Sequence, residues 1–495
     1  MENKRLEALS ENWLVEATID DIQEKLTNNE ITSKELVLMY LNRIALFDKS
    51  GVSINSILEV NPDVLHIASA LDAERNTNGI RGPLHGIPVL IKDNIDTHDK
   101  MHTSAGSLAL ANSVASKDSH VAKVLRDAGA IILGKTNMTE WANYMTIGMP
   151  SGYSSRGGQV LNPYGPGTFD VGGSSAGSGA SIAANLATIA VGTETSGSIL
   201  SPASQNSLVG IKPTVGLVSR TGIIPIAHSQ DTAGPMARTV KDAAILLTVL
   251  SSTDEQDPIT LTNRELATID FTQFLDKHSL KGAHIGIARD VYFDYLSDEK
   301  REVMDRAVEK LQELGANVID DVIIPSTKAE WTYDVLNYEF KADLNAYLQT
   351  LDSSIPIRSL KDVIEFNNNN EDQTLKYGQQ LLIESEETSG TLAEADYLRS
   401  LEQDIYLSTD QGIDYTLEKH QLDAIVFPNN FGAGIPAKAG YPSITVPAGY
   451  TSEGEPVGIT FTSRAYSEPK LLKLAYAFEQ ATKHRKPPVL KDHSN

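Results

Sequence analysis

The chain has 495 residues, of which 41% are hydrophobic and 22% are charged, the usual composition of a globular protein. Its formal net charge of −23 at pH 7 disfavours contact with phosphate backbones and anionic lipid, and its lack of cysteine excludes disulfides and thiolate nucleophiles. The sequence shows no secretory signal and no run of about 18 apolar residues. We therefore predict a soluble, cytoplasmic protein without a nucleic-acid or membrane partner.

The predicted elements begin with helices and then alternate between strands and helices. Residues 1–75 are predicted to be helical, with a capping box formed by Thr32 and Glu35 and a further helix that opens at Asn61 and Pro62. From residue 86 short apolar runs alternate with helical periods. The elements predicted there are a strand in GIPVLIKDN, a helix in SHVAKVLRDAG, a strand in AIIL, a helix in SAGSGASIAAN and strands in LATIAVGT and VGLVS.

The alternation resumes beyond residue 283 and predicts an α/β fold with helices on both faces of a sheet. A single domain over 1–495 is predicted, with an N-terminal helical segment (1–75), a core that carries the motifs below (76–260), and further strands and helical pocket cover (261–495). The later elements are a strand in HIGIA, a helix from Ser297 to Leu314, a strand in ANVID, helices over 330–422, strands in DAIVF, SITVPAG and VGITFTS, and a helix from Glu468.

Two short patterns suggest a phosphate loop and a zinc site but lack the context that either needs. GAIILGKT at 129–136 fits the phosphate-loop pattern, yet its middle residues are apolar and strand-like rather than a curled loop. His98 and His102 have the spacing of two zinc ligands on a helix, but they lie in a polar segment without a helical period. We predict neither a nucleotide site nor a metal site from them.

A third pattern suggests a serine hydrolase of another fold. Residues 173–177 fit the G-x-S-x-G nucleophile elbow, with Ser175 as nucleophile and His228 and Asp231 as conceivable partners. That elbow must follow a strand directly, whereas the preceding LNPYGPGTFDVG is rich in turn-forming residues. We therefore do not predict a serine–histidine–aspartate triad.

Residues 172–198 are rich in serine and glycine and contain no histidine or lysine, so a base for any of these serines must come from elsewhere. A lysine can serve if burial lowers its pKa from about 10.4 toward 7. Lys92 follows the apolar run 87–91, which would carry it into the sheet interior, while Asp93 would face the opposite side of the strand. From the residues alone, a solvated lysine at a strand end remains an open alternative.

Three motifs together resemble the amidase signature family. They are Lys92 within GIPVLIKDN, GGSS at 172–175 and GTETSGSI at 192–199, with matching text in GIKPTVGLVSRTGIIP and QDTAGPMART. Ser174 and Ser198 stand 24 positions apart, as that family's two serines do, and the resemblance covers almost the whole chain. It implies a large mixed β-sheet covered by helices on both faces, and hydrolysis of carboxylic amides.

The resemblance also implies a role for each matching residue. Ser198 resembles the family's nucleophile, Ser174 the bridging serine and Lys92 the base, so that the Ser198 proton would pass through Ser174 to Lys92 while an acyl-enzyme forms. In the family the bridging serine follows a cis peptide bond, which here would join Gly173 to Ser174. Ser175 and Thr193 match supporting positions.

Backbone N–H groups within the GTETSGSI motif would form an oxyanion hole. The following ILSPAS would start a helix whose positive end favours negative charge. Two positions depart from the family pattern: Glu194 stands where aspartate is familiar, and Leu200 where many members have arginine. Ser196 also changes the wall of the loop. The N–H groups implied for the hole are those of Thr195, Ser196, Gly197 and Ser198.

Within the family the chain most resembles bacterial peptide amidases, through EWANY at 140–144, SRGGQ at 155–159 and HSQDTAGP at 228–235. That resemblance implies release of ammonia from the C-terminal amide of a short peptide or a related small molecule. The alternatives are the glutaminase component of glutamyl-tRNA amidotransferase, a broad aryl or acyl amide hydrolase, and a catalytically silent binding protein. No cofactor, metal ion or obligatory partner protein is expected.

Overall fold

The computed structural model describes residues 3–490. Its strands are β1 (Ile57–Val60), β2 (Pro88–Lys92), β3 (Ile131–Thr136), β4 (Tyr153–Ser154), β5 (Gly158–Gln159), β6 (Ile189–Glu194), β7 (Val209–Lys212), β8 (Thr232–Ala237), β9 (His284–Ile287), β10 (Asn317–Asp320), β11 (Ala424–Pro428), β12 (Ser443–Tyr450) and β13 (Pro456–Thr462). No helix within the described part of the chain is long and apolar enough to cross a membrane.

Helices surround the sheet and supply most of the remaining regular structure. They are α1 (Lys4–Asn12), α2 (Ile19–Thr27), α3 (Ser33–Arg43), α4 (Val64–Asn78), α5 (His120–Asp127), α6 (Ala176–Ala183), α7 (Leu200–Gln205), α8 (Val240–Leu250), α9 (Asp298–Glu313), α10 (Asp334–Leu348), α11 (Leu360–Asn369), α12 (Glu371–Thr374), α13 (Gln380–Glu386), α14 (Ala395–Ser408), α15 (Asp414–His420), α16 (Gly434–Lys438) and α17 (Glu468–Thr482).

The main sheet contains 11 strands in the order β1-β3-β2-β6-β8-β7-β12-β13-β11-β9-β10. Strand β2 pairs in parallel with both β3 and β6, whereas β8 runs antiparallel to its neighbours β6 and β7. The sheet is therefore mixed, and the α/β prediction is confirmed. Strands β2 and β6 end side by side, which brings the segments that follow them to one edge of the sheet.

Several predicted elements match the structure closely. The capping box at Thr32 and Glu35 is present at the start of α3, and the Ser297 hydroxyl oxygen accepts a hydrogen bond at the start of α9. Helix α17 begins at Glu468, and six helices lie within residues 330–422. Local capping chemistry and periodicity were sufficient at these places because each signal lies within one turn or one element.

Several strands differ from the sequence prediction, and the short strands β4 and β5 were not predicted. Strand β1 lies within the segment predicted to be helical, and VGLVS at 215–219 forms a turn, because Gly216 takes a φ of 95° directly after β7. Strands β7 and β8 were not predicted. Strand β8 contains Gly234 and Pro235, which normally disfavour strands, yet a Cβ at Gly234 would lie 2.1 Å from the carbonyl oxygen of Ile211. Close approach of the neighbouring strand thus selects glycine there.

Helix α6 is buried along its whole length, as its small residues predict. A Cβ added to Gly177 would lie 2.3 Å from the carbonyl oxygens of both Ser56 and Asn137. A Cβ added to Gly179 would likewise lie 2.9 Å from the carbonyl oxygen of Pro202 in α7. The helix therefore sits directly against the neighbouring backbone, which fixes the serines at its N-terminal end.

Candidate active site

Lys92 lies at the carboxyl end of β2 and is fully buried. Its Nζ lies 2.7 Å from Ser174 Oγ, 2.8 Å from Thr193 Oγ1 and 3.3 Å from the Thr193 carbonyl oxygen. Thr193 belongs to the neighbouring parallel strand β6, so the pairing of β2 with β6 sets two of the three contacts. Lys92 therefore lies in the sheet interior, as the apolar run before it predicted.

Burial lowers the pKa of Lys92 from its ordinary 10.5 to about 7, and the nearby Asp231 and Glu194 carboxylates oppose this shift. Asp93 faces the other side of the strand, where its carboxylate accepts hydrogen bonds from the Ser104 hydroxyl and, at 2.9 Å, from the Gly106 N–H. A substantial fraction of Lys92 is therefore neutral at physiological pH. In that form its lone pair can accept a proton from Ser174.

Ser174 and Ser175 precede α6, and each is fully buried. The Gly173–Ser174 peptide bond is cis, as the resemblance implied. The Ser175 hydroxyl donates to the Thr193 carbonyl oxygen at 3.0 Å and accepts from the Thr193 N–H at 3.2 Å. The Ser175 N–H donates to the Ser198 carbonyl oxygen at 3.1 Å. Ser175 thus ties together the strand beside Lys92 and the loop that carries Ser198.

Ser198 lies in the loop between β6 and α7 and lines a cavity of about 660 Å³, which we name the substrate cavity. It is 7% exposed, whereas Ser174 and Lys92 have no exposure and do not line this cavity. The structure therefore places Ser198 at the cavity surface and the Ser174–Lys92 contact in the interior. A volume of this size suits a small organic ligand.

The Glu194 side chain organises the loop after β6. Its Oε1 accepts the Gly197 N–H at 2.6 Å, and its Oε2 accepts the N–H groups of Ile199 at 2.7 Å and Leu200 at 3.0 Å. These donors include the N-terminal N–H of α7, so the positive end of that helix faces a fixed carboxylate rather than a ligand. Burial raises the pKa of Glu194, while these N–H donors act in the opposite direction.

The members of the implied oxyanion hole differ in their present contacts. The Gly197 N–H is engaged by Glu194, whose side chain is one methylene longer than the familiar aspartate. Within residues 3–490 the N–H groups of Thr195, Ser196 and Ser198 have no acceptor. These three groups remain available to a negatively charged oxygen next to Ser198.

Thr195 is held from the opposite side by the segment before β8. Its hydroxyl donates to Asp231 Oδ1 at 2.5 Å, and its carbonyl oxygen accepts from Gln230 Nε2 at 3.3 Å. Asp231 is itself fixed by the N–H groups of Ile226 and Ala227, at 2.8 and 3.0 Å. One face of the loop is thus anchored by Glu194 and the other by Asp231.

The wall of the substrate cavity is mostly uncharged and contains both polar and aromatic side chains. Among the described residues that line it, only Lys438 carries a charge, and this ammonium is already paired with Asp404 and lies 5.4 Å from the centre of the Trp331 ring. Leu200, at the position where arginine is familiar, is fully buried and does not line the cavity. The aromatic lining residues are Tyr144, Tyr292, Trp331, Tyr333 and Phe431.

Sequence reasoning missed two residues of this centre. Asn94 donates from Nδ2 to Thr193 Oγ1 at 3.0 Å, next to the contact made by Lys92. The chain turns directly after Lys92, where the Ile95 N–H donates to the Lys92 carbonyl oxygen at 3.0 Å, so strand alternation gave no signal for Asn94. Asp231 was considered only as a partner of Ser175 in a triad, whereas its carboxylate contacts Thr195.

The residues of the phosphate-loop pattern and of the two-histidine pattern make other contacts in the structure. Residues Ile131–Thr136 form strand β3, and the buried Lys135 donates to the Ile95 carbonyl oxygen at 2.5 Å instead of facing a phosphate. His98 Nδ1 lies 3.0 Å from the Ala115 carbonyl oxygen and His102 Nδ1 lies 2.8 Å from Glu59. The two histidines therefore have separate partners.

One group has the spacing of a metal site: ligand atoms of His228, Glu339 and Asp343 lie within 4.8 Å of one another. His228 Nδ1 is 2.9 Å from Asp343 and its Nε2 is 3.5 Å from Glu339. The hydrogen bond with Asp343 raises the pKa of His228. We interpret this group as an ion-pair cluster.

Replacing Glu194 by glutamine is expected to lower kcat by about 10- to 100-fold and to lower the Tm, because the new amide nitrogen faces N–H donors that lose their acceptor. Steady-state kinetics and thermal unfolding measure the two effects. Glu194→Asp is the matched control, since it keeps the charge and the familiar family residue. A glutamine variant with the kinetics and Tm of the parent would contradict this role for the carboxylate.

The whole chain matches known proteins closely. It is 42% identical over 484 residues to a "Probable amidase" of Arabidopsis thaliana, covering 96% of this chain and 91% of the plant protein. It is 32% identical over 497 residues to one component of the glutamyl-tRNA(Gln) amidotransferase of Moorella thermoacetica, covering 96% of this chain and 98% of that protein. The X-ray structure of the peptide amidase of Stenotrophomonas maltophilia superposes with a TM-score of 0.91 at 44% identity, covering 96% and 99% of the two chains.

A sequence model agrees with these individual matches. The model described as Amidase matches residues 35–472, which include every residue of the centre described above. The family implied by the lysine motif and the serine motifs is therefore confirmed by matches that cover most of the chain and by the fold. The chain belongs to the amidase family, and it is an amide-hydrolysing enzyme.

Proposed function

We propose that the chain hydrolyses a primary carboxylic amide through Ser198, Ser174 and Lys92. The observation that carries this proposal is the 2.7 Å contact between a buried lysine of lowered pKa and Ser174, together with the position of Ser198 at the cavity surface. Ser198 Oγ attacks the amide carbonyl carbon. Its proton passes to Ser174, and the Ser174 proton passes to neutral Lys92.

The later steps return the proton and use water. The N–H groups of Thr195, Ser196 and Ser198 stabilise the negative oxygen of the tetrahedral intermediate. As the C–N bond breaks, Lys92 returns its proton through Ser174 to the departing nitrogen, which leaves as ammonia. Water then attacks the Ser198 ester with the same relay as base, releasing the acid and restoring the Ser198 hydroxyl.

We further propose that the substrate is the C-terminal amide of a short peptide. The substrate cavity supports this choice because its mostly uncharged wall of polar and aromatic side chains suits a neutral peptide group better than a charged amino acid. The similarity to a peptide amidase at 44% identity supports it independently. Action in the cytoplasm and without a partner protein remains a prediction.

A glutaminase is the alternative that the relatives suggest. Free glutamine carries an ammonium and a carboxylate, and each needs an oppositely charged or hydrogen-bonding partner once it leaves water. In the described part of the substrate cavity Lys438 is the charged candidate, and Asp404 already neutralises it. This pairing favours an uncharged amide over free glutamine.

Ammonia release by the isolated chain tests the proposal. A C-terminally amidated dipeptide is compared with free glutamine and with a simple aryl amide, and Ser198→Ala serves as the blank. We expect the dipeptide amide to give the largest kcat/KM. Preference for the aryl amide would indicate a broader amide hydrolase, and activity on glutamine alone would replace the proposal with a glutaminase.

A further inference from the structure

Apolar side chains stand at the opening of the substrate cavity. Ile147 and Tyr333 both line the cavity and are 61% and 54% exposed, so they lie where the cavity meets solvent. Trp331 and Leu336 line the same cavity and are partly exposed. We name these four side chains, Ile147, Trp331, Tyr333 and Leu336, the apolar lip.

The apolar lip is built on two segments that pack against each other. Ile147 follows Tyr144 by three residues, and Tyr333 immediately precedes α10. The Tyr144 hydroxyl donates to Asn337 Oδ1 of α10 at 2.5 Å, and its ring centroid lies 5.0 Å from that of Phe340 in the same helix. These contacts bring the loop that carries Ile147 and the start of α10 to the same part of the cavity wall.

A third strongly exposed aromatic side chain continues this wall outward. Tyr295 is 69% exposed, and its ring centroid lies 5.9 Å from that of Phe431, which lines the substrate cavity. Single apolar residues scattered over a surface are ordinary, whereas exposed apolar surface that continues the wall of a cavity indicates a ligand. The opening therefore offers apolar surface to whatever part of a substrate extends out of the cavity.

The proposed reaction determines which part of a substrate reaches the apolar lip. Ser198 is 7% exposed and must reach the carbonyl carbon of the terminal amide, so the amidated residue occupies the cavity itself. An extended peptide advances about 3.5 Å per residue. The residue that precedes the amidated one is therefore carried toward the opening.

We propose that the apolar lip binds the side chain of the residue that precedes the amidated residue, and that it selects an apolar side chain there. The inference rests on the proposed function, because it takes a C-terminal peptide amide as the substrate. A leucine at this position covers Ile147 and Tyr333 and removes apolar surface of both partners from water. A serine removes much less.

Two neutral substrates that differ at this position test the proposal: N-acetyl-leucyl-alaninamide and N-acetyl-seryl-alaninamide. Ammonia release gives kcat/KM for each. We expect the parent to prefer the leucine substrate by about tenfold. Ile147→Ser and Tyr333→Ser should each at least halve this ratio, and the double variant should bring it to within about twofold of one.

Ile323→Ser is the matched control for these variants. Ile323 is 55% exposed, much like the two lip residues, but it does not line the substrate cavity. This variant should keep the parent's ratio. Thermal unfolding shows whether each variant is folded, and if Tyr333→Ser is not, Ile147→Ser decides the result.

A parent enzyme that hydrolyses both substrates equally well would overturn the proposal. Lip variants that keep the parent's ratio, including variants that lose the same factor on both substrates, would overturn it too. Calorimetric titration of the Ser198→Ala protein with the same two amides repeats the comparison without turnover, and the leucine substrate should bind about tenfold more tightly. If the parent releases ammonia from neither amide, the proposed function fails, and the two Kd values, with and without Ile147→Ser, still decide the role of the lip.

Discussion

Replacing Ser198 by alanine is expected to lower kcat for a peptide amide by about 10⁴-fold or more. The change removes the oxygen that we propose forms the acyl-enzyme, while the Ser174–Lys92 contact and the loop anchored by Glu194 do not involve this hydroxyl. Ammonia release under steady-state conditions measures the loss. Unchanged thermal unfolding would show that the variant is folded.

Ser196→Ala is the matched control for this result. Ser196 is exposed in the same loop and would contribute only its backbone N–H, which alanine retains. We expect its kcat to stay within about tenfold of the parent. A phosphonate probe should label the parent and Ser196→Ala proteins but not Ser198→Ala. Labelling of Ser198→Ala, or equal losses in both variants, would reject Ser198 as the nucleophile.

Replacing Lys92 by methionine is expected to lower kcat/KM by about 10²- to 10⁴-fold above neutral pH. The pKa of Lys92 is lowered to about 7, so the neutral base accumulates as pH rises through that value. The parent should therefore gain activity from pH 6 to 8 and then level off. The methionine variant should lack this rise, and a full pH profile of kcat/KM measures the difference.

The same shift predicts how stability depends on pH. Because the pKa is lowered from 10.5 to about 7 in the folded state, the unfolded chain binds more protons between these values. The contribution of Lys92 to the free energy of unfolding therefore rises with pH across this window. Lys92→Met should flatten that rise in denaturant unfolding. An intact rise in both activity and stability would show that Lys92 does not titrate there.

The sequence was informative where one motif or one periodic segment carried the signal. Lys92 could be located because an apolar run ends at it, and burial of the whole of β2 follows from the same run. The small residues of α6 predicted close packing, and the contacts of Gly177 explain it. The roles of Ser174 and Ser198 required the family resemblance, because serine-rich text alone does not separate a nucleophile from a helix cap.

The remaining features depend on contacts between distant segments. The Glu194 carboxylate accepts the N–H groups of Gly197, Ile199 and Leu200, and the spacing of residues in GTETSGS does not predict these contacts. Strand β8 was missed because close packing against Ile211 overrides the poor strand propensity of Gly234 and Pro235. A second cavity, of about 370 Å³, is lined both by Asn94 and by residues of α10 more than 200 positions away, so periodicity could not reveal it.

The wall of the substrate cavity has a consequence for synthesis of the protein. Lys92, Ser174 and Ser198 emerge early from a ribosome, but the wall also needs Phe431 and Lys438, from the last seventh of the chain. A stalled or cleaved product that ends before residue 430 would lack both of these wall residues and also strands β12 and β13, which lie between β7 and β11 in the main sheet. Formation of the cavity therefore depends on a segment that is synthesised after the serines and the lysine.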